Sequence, residues 1–522
     1  MRITARCISG SEIRYLGSFR QGFHRREKNT VEEKKRQVLA FDFGGGSGRA
    51  ILGSLRDGKL RMEEVYRFSN DPVMLNGTMY WDTLRHFHEI RQGILKAKQL
   101  GGFESIGIDT WGVDFGLLDE HGMLLESAVH YRDDRTLGMQ EEVFGKLSRE
   151  EIYDLTGNQF ENFNTIFQLY SLVTRRPWIL ERADTLLLMP DLFNYFLTGV
   201  KRAEYTMAST TQLMDARKKV WSKEILSALH IPERILPDII PSGTVVGSLR
   251  AEICEELGVQ PAKVIAIAGH DTQSAVVSVP TQEKDFIFIS CGTWSLFGTE
   301  LSGPVIDDRS YACNISNEGG YGQTTTLLKN IIGLWLAQES RRQWQREGKE
   351  YSFGELEQLA LTAEPFQSFI DPDDPRFVAA GNIPERIRQF CRETDQRVPR
   401  TEAEIMCCIN QSLAMKYRYA LEQIEACTGR HYPVIHMIGG GIQSRLLCQM
   451  TAGANGRKVI AGPTEATALG NLAVQFMALG EIADVAHARQ IIADSETTYE
   501  YLPQDTERWN AAYDKFITYI QK

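Results

Sequence analysis

The chain has 522 residues, with 58 Lys and Arg against 68 Asp and Glu, for a formal net charge of -10. That acidic balance argues against a nucleic acid or an anionic membrane as partner, and no run approaches the roughly 20 apolar residues of a membrane span, which leaves a small molecule as the expected ligand. The length exceeds what one core organises, so two sizeable domains are expected; nine cysteines without a Cys-x-x-Cys exclude a zinc ribbon or dithiol redox motif and predict reduced thiols in a cytoplasmic protein.

Residues 1–36 mix Arg, Lys and Glu with single apolar residues and show no period, which reads as a disordered extension. The fold is then expected to begin near Gln37. Val38 to Phe41 is apolar, meets Asp42, and breaks into Gly44-Gly45-Gly46-Ser47-Gly48-Arg49 before Ala50–Gly53 returns. This predicts a β-hairpin whose tip of bare backbone N–H groups suits phosphate, with Arg49 adding charge. A Gly-Lys-Ser/Thr nucleotide loop and the third glycine of a dinucleotide fingerprint are both missing.

Met62–Phe68 reads as a strand, and Trp81–Gln99 as a helix entered at Asp82, a suitable N-cap. Ile106 and Ile108 form a strand that ends in Asp109, Trp111, Gly112 and Asp114. A strand end of this kind suits a ligand. Two readings stay open: Trp111 as core with the acids capping turns, or an indole covering sugar C–H surface while carboxylates accept hydroxyl hydrogen bonds. Residues 140–235 are mainly helical by periodicity and close in a Pro-rich stretch.

Lys263–Ala268 is a buried strand that empties into Gly269-His270-Asp271, and Thr272–Ser278 is the expected helix. Asp271 either caps that helix or acts as a base. Phe286–Gly298 then repeats the layout of Val38–Gly53: apolar strand, small-residue turn, apolar return. Two phosphate hairpins facing each other across a cleft describe a duplicated α/β fold of the actin-like, ribonuclease-H-like kind.

Beyond the repeat, Gly319–Leu336 is an amphipathic segment expected to carry Asn330 and Gln338 on helical turns. Asp371-Pro372-Asp373-Asp374-Pro375 predicts a rigid surface turn, and Glu402–Thr428 a long helix. Val434–Ile438 runs into Gly439-Gly440-Gly441, where a flat nucleotide base could lie against backbone. Val459–Gly462 and Glu465–Gly470 complete a strand and a helix.

Phe41–Arg49, Gly107–Phe115, Gly269–Ala275, Cys291–Ser295, Gly439–Gly441 and Ala461–Ala466 together resemble the FGGY carbohydrate kinases, over about 38–480. The resemblance implies an ATP- and Mg²⁺-dependent enzyme that phosphorylates a ketose, in two domains, 37–272 and 273–522. Gly45, Gly46, Ser47, Gly48 and Arg49 would hold the ATP phosphates, and Thr293, Gln338 and Gly440 would meet the nucleotide. Gly112, His270, Asp271, Thr272 and Asn330 would line the sugar site. Asp271 would be the base, and Asp42 would reach Mg²⁺ through water. Finer signs at Tyr131-Arg132-Asp133, Glu204–Leu213, Lys329–Trp335 and Asp371–Pro375 resemble members that phosphorylate L-rhamnulose on O1. L-Fuculose or xylulose as the sugar, and an actin-like ATPase without a sugar, are the competing readings. The partners expected are ketose and ATP, with no nucleic acid and no membrane, for a monomer or homodimer.

Overall fold

A computed structural model describes residues 36–520 of the chain; the expected N-terminal extension lies outside them except for Arg36. The hairpin expected from the glycine run is the centre of the first of two large sheets. Its strands are β1 (Gln37–Phe43), β2 (Ser47–Arg56), β3 (Lys59–Ser69), β4 (Ser105–Thr110), β5 (Thr244–Ser248) and β6 (Lys263–Ala266), in the order β5-β6-β4-β1-β2-β3. All seven residues of β1 are buried, because helices cover both faces of the sheet and the strand must be apolar on both. Strands β1 and β4, and β4 and β6, are parallel, while β2, β3 and β5 pair antiparallel with their neighbours.

The second sheet comprises β7 (Ile287–Cys291), β8 (Trp294–Leu301), β9 (Ser316–Gly319), β10 (Thr325–Ile332), β11 (Val434–Ile438), β12 (Lys458–Ala461) and β13 (Tyr499–Tyr501), ordered β9-β10-β8-β7-β11-β12-β13. Apart from β9, its order and strand senses repeat the first sheet strand for strand. The fold is a duplicated actin-like, ribonuclease-H-like one.

Each half follows its sixth strand in chain order with a helix, α1 (Asp271–Val277) after β6 and α2 (Ala466–Ala478) after β12. These helices pack on each other's sheets. Leu469, Leu472 and Ala473 of α2 sit with Val38, Ala40, Ile51 and Ile265 of the first sheet, while Ala275 and Val276 of α1 sit with Phe286, Phe288 and Ile438 of the second. They cross at Gly470, where a Cβ would stand 1.8 Å from the Ser274 carbonyl oxygen. Only glycine permits that approach.

The helix expected at Trp81–Gln99 covers Thr83–Gln99, and the Asp82 side chain accepts from the Arg85 N–H at 3.1 Å. Residues 111–243 form an insert between β4 and β5 around its own core of Ile152, Phe167, Leu186 and their neighbours, and the stretch 140–235 expected to be mainly helical is so. Two expectations need correction. Asn330 lies on strand β10, paired with β8 through Leu296, and only Gln338 is helical; the run Thr325–Ile332 is rich in β-branched residues, and ladder pairing prevails over its helical spacing. The Asp371–Pro375 turn is half-buried, because Lys416, itself 6% exposed, pairs with Asp371 at 2.7 Å and Asp373 at 3.0 Å. Cys407 and Cys408 are both buried, and the eight cysteines among the described residues are unbridged.

Candidate active site

Three carboxylates converge where the strands of the first sheet end. Asp42 of β1 and Asp109 of β4 are register partners. The chain beyond β6 continues the sheet, since the Thr110 N–H donates to the Gly269 carbonyl at 2.9 Å and Thr110 bridges to His270. This brings Asp271, the first residue of α1, to the same edge.

The three acids differ in how they are held. Arg49 donates to Asp42 from Nη2 at 2.7 Å and Nε at 3.2 Å and also pairs with Glu465 of the second half. Burial pulls the Arg49 pKa down, but these two carboxylates outweigh it and hold the guanidinium firmly charged. Asp109 is fully buried; Asn471 of α2 donates to its Oδ2 at 2.6 Å, while Oδ1 has no hydrogen-bond partner. Burial, with Asp42 adding like-charge repulsion, raises its pKa well above the usual carboxylate range. Asp271 is accessible, with a side chain 34% exposed. Burial raises its pKa, His270 opposes the rise, and nearby Asp42 adds to it.

The helix-cap reading of Asp271 does not hold in its simple form. The helix starts one residue earlier than expected, His270 is its N-cap, and the Asp271 carboxylate accepts from its neighbour's Thr272 N–H at 2.6 Å. Nδ1 of His270 faces Glu318 Oε2 on β9 at 3.2 Å and its Nε2 faces Asp271 Oδ1 at 3.5 Å. Although desolvation lowers the His270 pKa, the contact with Glu318 and the charge of Asp271 carry it above its ordinary value. Glu204, fully buried, anchors the loop from behind by accepting from the Gly269 N–H at 3.2 Å.

Gly112 follows β4 and leads into Val113, whose φ of 67° is strained for a β-branched residue. Three side chains over-determine that conformation: Thr210 Oγ1 accepts from the Val113 N–H at 3.2 Å, and Thr165 and Gln168 donate to its carbonyl at 2.7 and 3.4 Å. Of the two readings of this strand end, Trp111 follows the core one. Its ring lies 4.0 Å from that of Trp81, and both indoles donate to the buried Asp114, which also accepts from Gln168 and the Tyr131 N–H. Burial pushes Asp114 up to about 6 against the bonds from Trp81, Gln168 and Trp111 and the charge of Arg135.

The glycines divide into two kinds. A Cβ at Gly48 would stand 2.3 Å from Phe68, so packing alone demands glycine there, whereas Gly45 and Gly46 are exposed and a Cβ at either would meet nothing within 4 Å. The second half repeats the division: a Cβ at Gly441 would stand 2.3 Å from Cys291 Sγ, and a Cβ at Gly440 beside it would meet nothing within 4 Å. Thr293 at the tip of the second hairpin donates to Gln338 Oε1 at 3.4 Å.

Two family models match, the N-terminal domain of the FGGY family of carbohydrate kinases over residues 37–278 and the C-terminal domain over 287–479. The chain belongs to the FGGY carbohydrate kinases. A rhamnulokinase of Bacteroides thetaiotaomicron is 44% identical over 483 residues, covering 92% of this chain and 99% of that protein. One from Bacillus subtilis is 40% identical over 471 residues, covering 90% and 96%. Among solved structures, gluconate kinase from Lactobacillus acidophilus superimposes with a TM-score of 0.76 at 17% identity, over 93% of this chain and 97% of that one. Plasmodium falciparum glycerol kinase with ADP gives 0.74 at 15%, over 93% and 98%.

Within this kinase the residues expected at the site fall into three groups. Asp42 with Arg49, His270 with Asp271 and Thr272, and Thr293 with Gln338 are in contact. Arg49 does not stand free over the turn, because two acids hold it. Asn330 bonds Gln159 of the insert, and no hydrogen bond among the described residues joins it to His270, Asp271 or Thr272. Glu318 and Gln159 were not among the expected site residues, and Asp109 was expected only as part of a strand end suited to a ligand, without a role. The polar end of β4 was a signal for Asp109; nothing in the local pattern marks Glu318 or Gln159.

Proposed function

We propose that this kinase transfers the γ-phosphoryl group of ATP to the 1-hydroxyl of L-rhamnulose, giving L-rhamnulose 1-phosphate and ADP, in the cytoplasm. The observation that carries the chemistry is Asp271: an accessible carboxylate at the head of a helix, beside two buried acids. The relatives named rhamnulokinase, at about 40% identity or more over nearly the whole chain, support the sugar.

In this reading the hydroxyl of the ketose gives its proton to Asp271 as its oxygen attacks the γ-phosphorus; the O–P bond forms, the bond to the β-phosphate oxygen breaks, and ADP leaves. Phosphoryl transfer asks mainly for alignment and charge neutralisation. Gly45, Gly46 and Ser47 offer open backbone for the phosphates, next to Gly48 and Arg49, and Thr293, Gln338 and Gly440 offer a second face to the nucleotide. Gly112, His270, Thr272 and Asn330 line the sugar side. Residues 37–272 thus hold the phosphates and, together with Asn330 of the second half, the sugar, and 273–522 the nucleotide.

The residues fit Mg²⁺: Asp109 Oδ1 is a buried carboxylate oxygen without a partner, and Asp42 stands beside it. Mg²⁺ keeps several of its waters and takes few protein carboxylates. Asp42 and Asp109 would hold it, and it would neutralise phosphate charge.

The test is Asp271→Asn assayed by ADP release over a panel of ketoses. The wild type should prefer L-rhamnulose, and the folded variant should lose about 10²- to 10⁴-fold in kcat. Wild-type kcat/KM should fall with acidification at a pH above the ordinary carboxylate range, because the base must be ionised and its pKa is raised. Preference for L-fuculose or xylulose, or ATP hydrolysis indifferent to every ketose, overturns the substrate.

A further inference from the structure

Strand β10 leaves part of its outer edge without a strand partner. Its pairing with β9 runs from Thr325 to Leu328 and stops. Beyond that point two side chains take over the ladder. Gln159 Oε1 accepts from the Asn330 N–H at 2.8 Å while Gln159 Nε2 donates to the Asn330 carbonyl at 3.3 Å, and Asp373 Oδ1 accepts from the Ile332 N–H at 2.9 Å. A carboxamide that both accepts from and donates to one residue's main chain substitutes for a strand.

Gln159 does more than satisfy backbone. Its Oε1 also accepts from Asn330 Nδ2 at 3.3 Å, and its Nε2 donates to Glu161 Oε1 at 2.7 Å, which fixes which way round the carboxamide sits. One amide hydrogen of Asn330 is thereby committed, and the other together with Oδ1 is left for a ligand. Gln159 is 5% exposed and belongs to a segment bound to the second half along its length. The Gly157 carbonyl accepts from the Asn317 N–H at 2.8 Å, and the Phe160 N–H donates to Asn314 Oδ1 at 2.9 Å.

We propose that Gln159 is a positioning residue that sets the orientation of Asn330 for the ketose, so that the insert of the first half determines sugar affinity through a strand of the second. This rests on the reading of Asn330 as a sugar-site residue. It requires the amide as such: a carboxylate at 159 could not donate to the Asn330 carbonyl and would face Glu161.

The test compares Gln159→Leu, Gln159→Glu, Asn330→Ala and the Gln159→Leu/Asn330→Ala double variant in full-length enzyme, with KM measured separately for L-rhamnulose and for ATP. Both Gln159 variants should raise the ketose KM about tenfold or more, a loss of one good hydrogen-bonding interaction, and leave the ATP KM within about twofold. The double variant should be no worse than Asn330→Ala alone. A normal ketose KM in Gln159→Leu while Asn330→Ala is impaired overturns the positioning role. A normal ketose KM in Asn330→Ala overturns the site reading beneath it. If Gln159→Leu does not fold, Gln159→Glu decides; equal rises in both KM values, or additive losses in the double variant, assign Gln159 to general stability and overturn the proposal.

Discussion

At equivalent points the two halves carry opposite chemistry. The next-to-last residue of the first strand, its register partner on the parallel neighbouring strand, and the first residue of the helix after the sixth strand are Asp42, Asp109 and Asp271 in the first half. In the second they are Ser290, Ile438 and Ala466. The backbone is duplicated and the charge is not. Burying a carboxylate is costly unless it is paired, and Asp109 keeps one oxygen unpaired in a fully buried position. The first half therefore carries a destabilising cluster that the same fold does without in the second.

Removing a member of the cluster breaks that asymmetry most directly. Asp109→Asn keeps an acceptor for Asn471 and eliminates the buried charge, so kcat should fall about 100-fold while thermal stability at neutral pH rises. The sign follows from the raised pKa: between the ordinary carboxylate value and the raised native one the native state keeps a proton that the unfolded chain has lost, so Asp109 makes stability fall as pH rises through that interval. The variant should lose that part of the slope, as measured by urea unfolding across pH. A less stable variant would mean that the charge is compensated.

The seam between the halves should respond next. Gly470→Ala places a Cβ 1.8 Å from a backbone oxygen of the partner helix, and neither backbone can yield cheaply. Stability should drop by roughly 1–3 kcal/mol or more in denaturant unfolding. Unchanged stability would show that the two helices can slide.

The smallest effects should separate the two kinds of glycine. Gly46→Ala meets open space, so its stability should stay within about 0.5 kcal/mol of wild type while the ATP KM rises. Gly48→Ala, pressed on Phe68, should lose roughly 1–3 kcal/mol. If Gly46→Ala bound ATP normally, the open turn would not be the phosphate cradle.

Much of this was legible in the sequence because it depends on near neighbours. The repeated strand, turn and return at Val38–Gly53 and Phe286–Gly298 revealed the duplication. Asp82 announced its helix, and the helix expected at Glu402–Thr428 has those bounds, with a capping box at Thr401 and Glu404 and a left-handed Gly429 at its end. Periodicity and capping act over a few residues, so composition and spacing suffice to read them. The clustered motifs were likewise enough to mark the kinase family.

What only the tertiary structure decided concerns partners far apart in the chain. Asn330 looks helical by spacing and becomes strand because Trp294–Leu301 lies beside it. Arg49 looks like a charge for phosphate and is held between Asp42 and Glu465. The Asp371 turn looks like surface until Lys416 is brought against it. Glu318 and Gln159 have no local signature, since their importance comes from residues about 50 and 170 positions away. Local propensity is a weak bias of tenths of a kcal/mol to about 1 kcal/mol per residue. Strand pairing, buried charge and contact between the halves are larger, and they exist only once the two sheets have met.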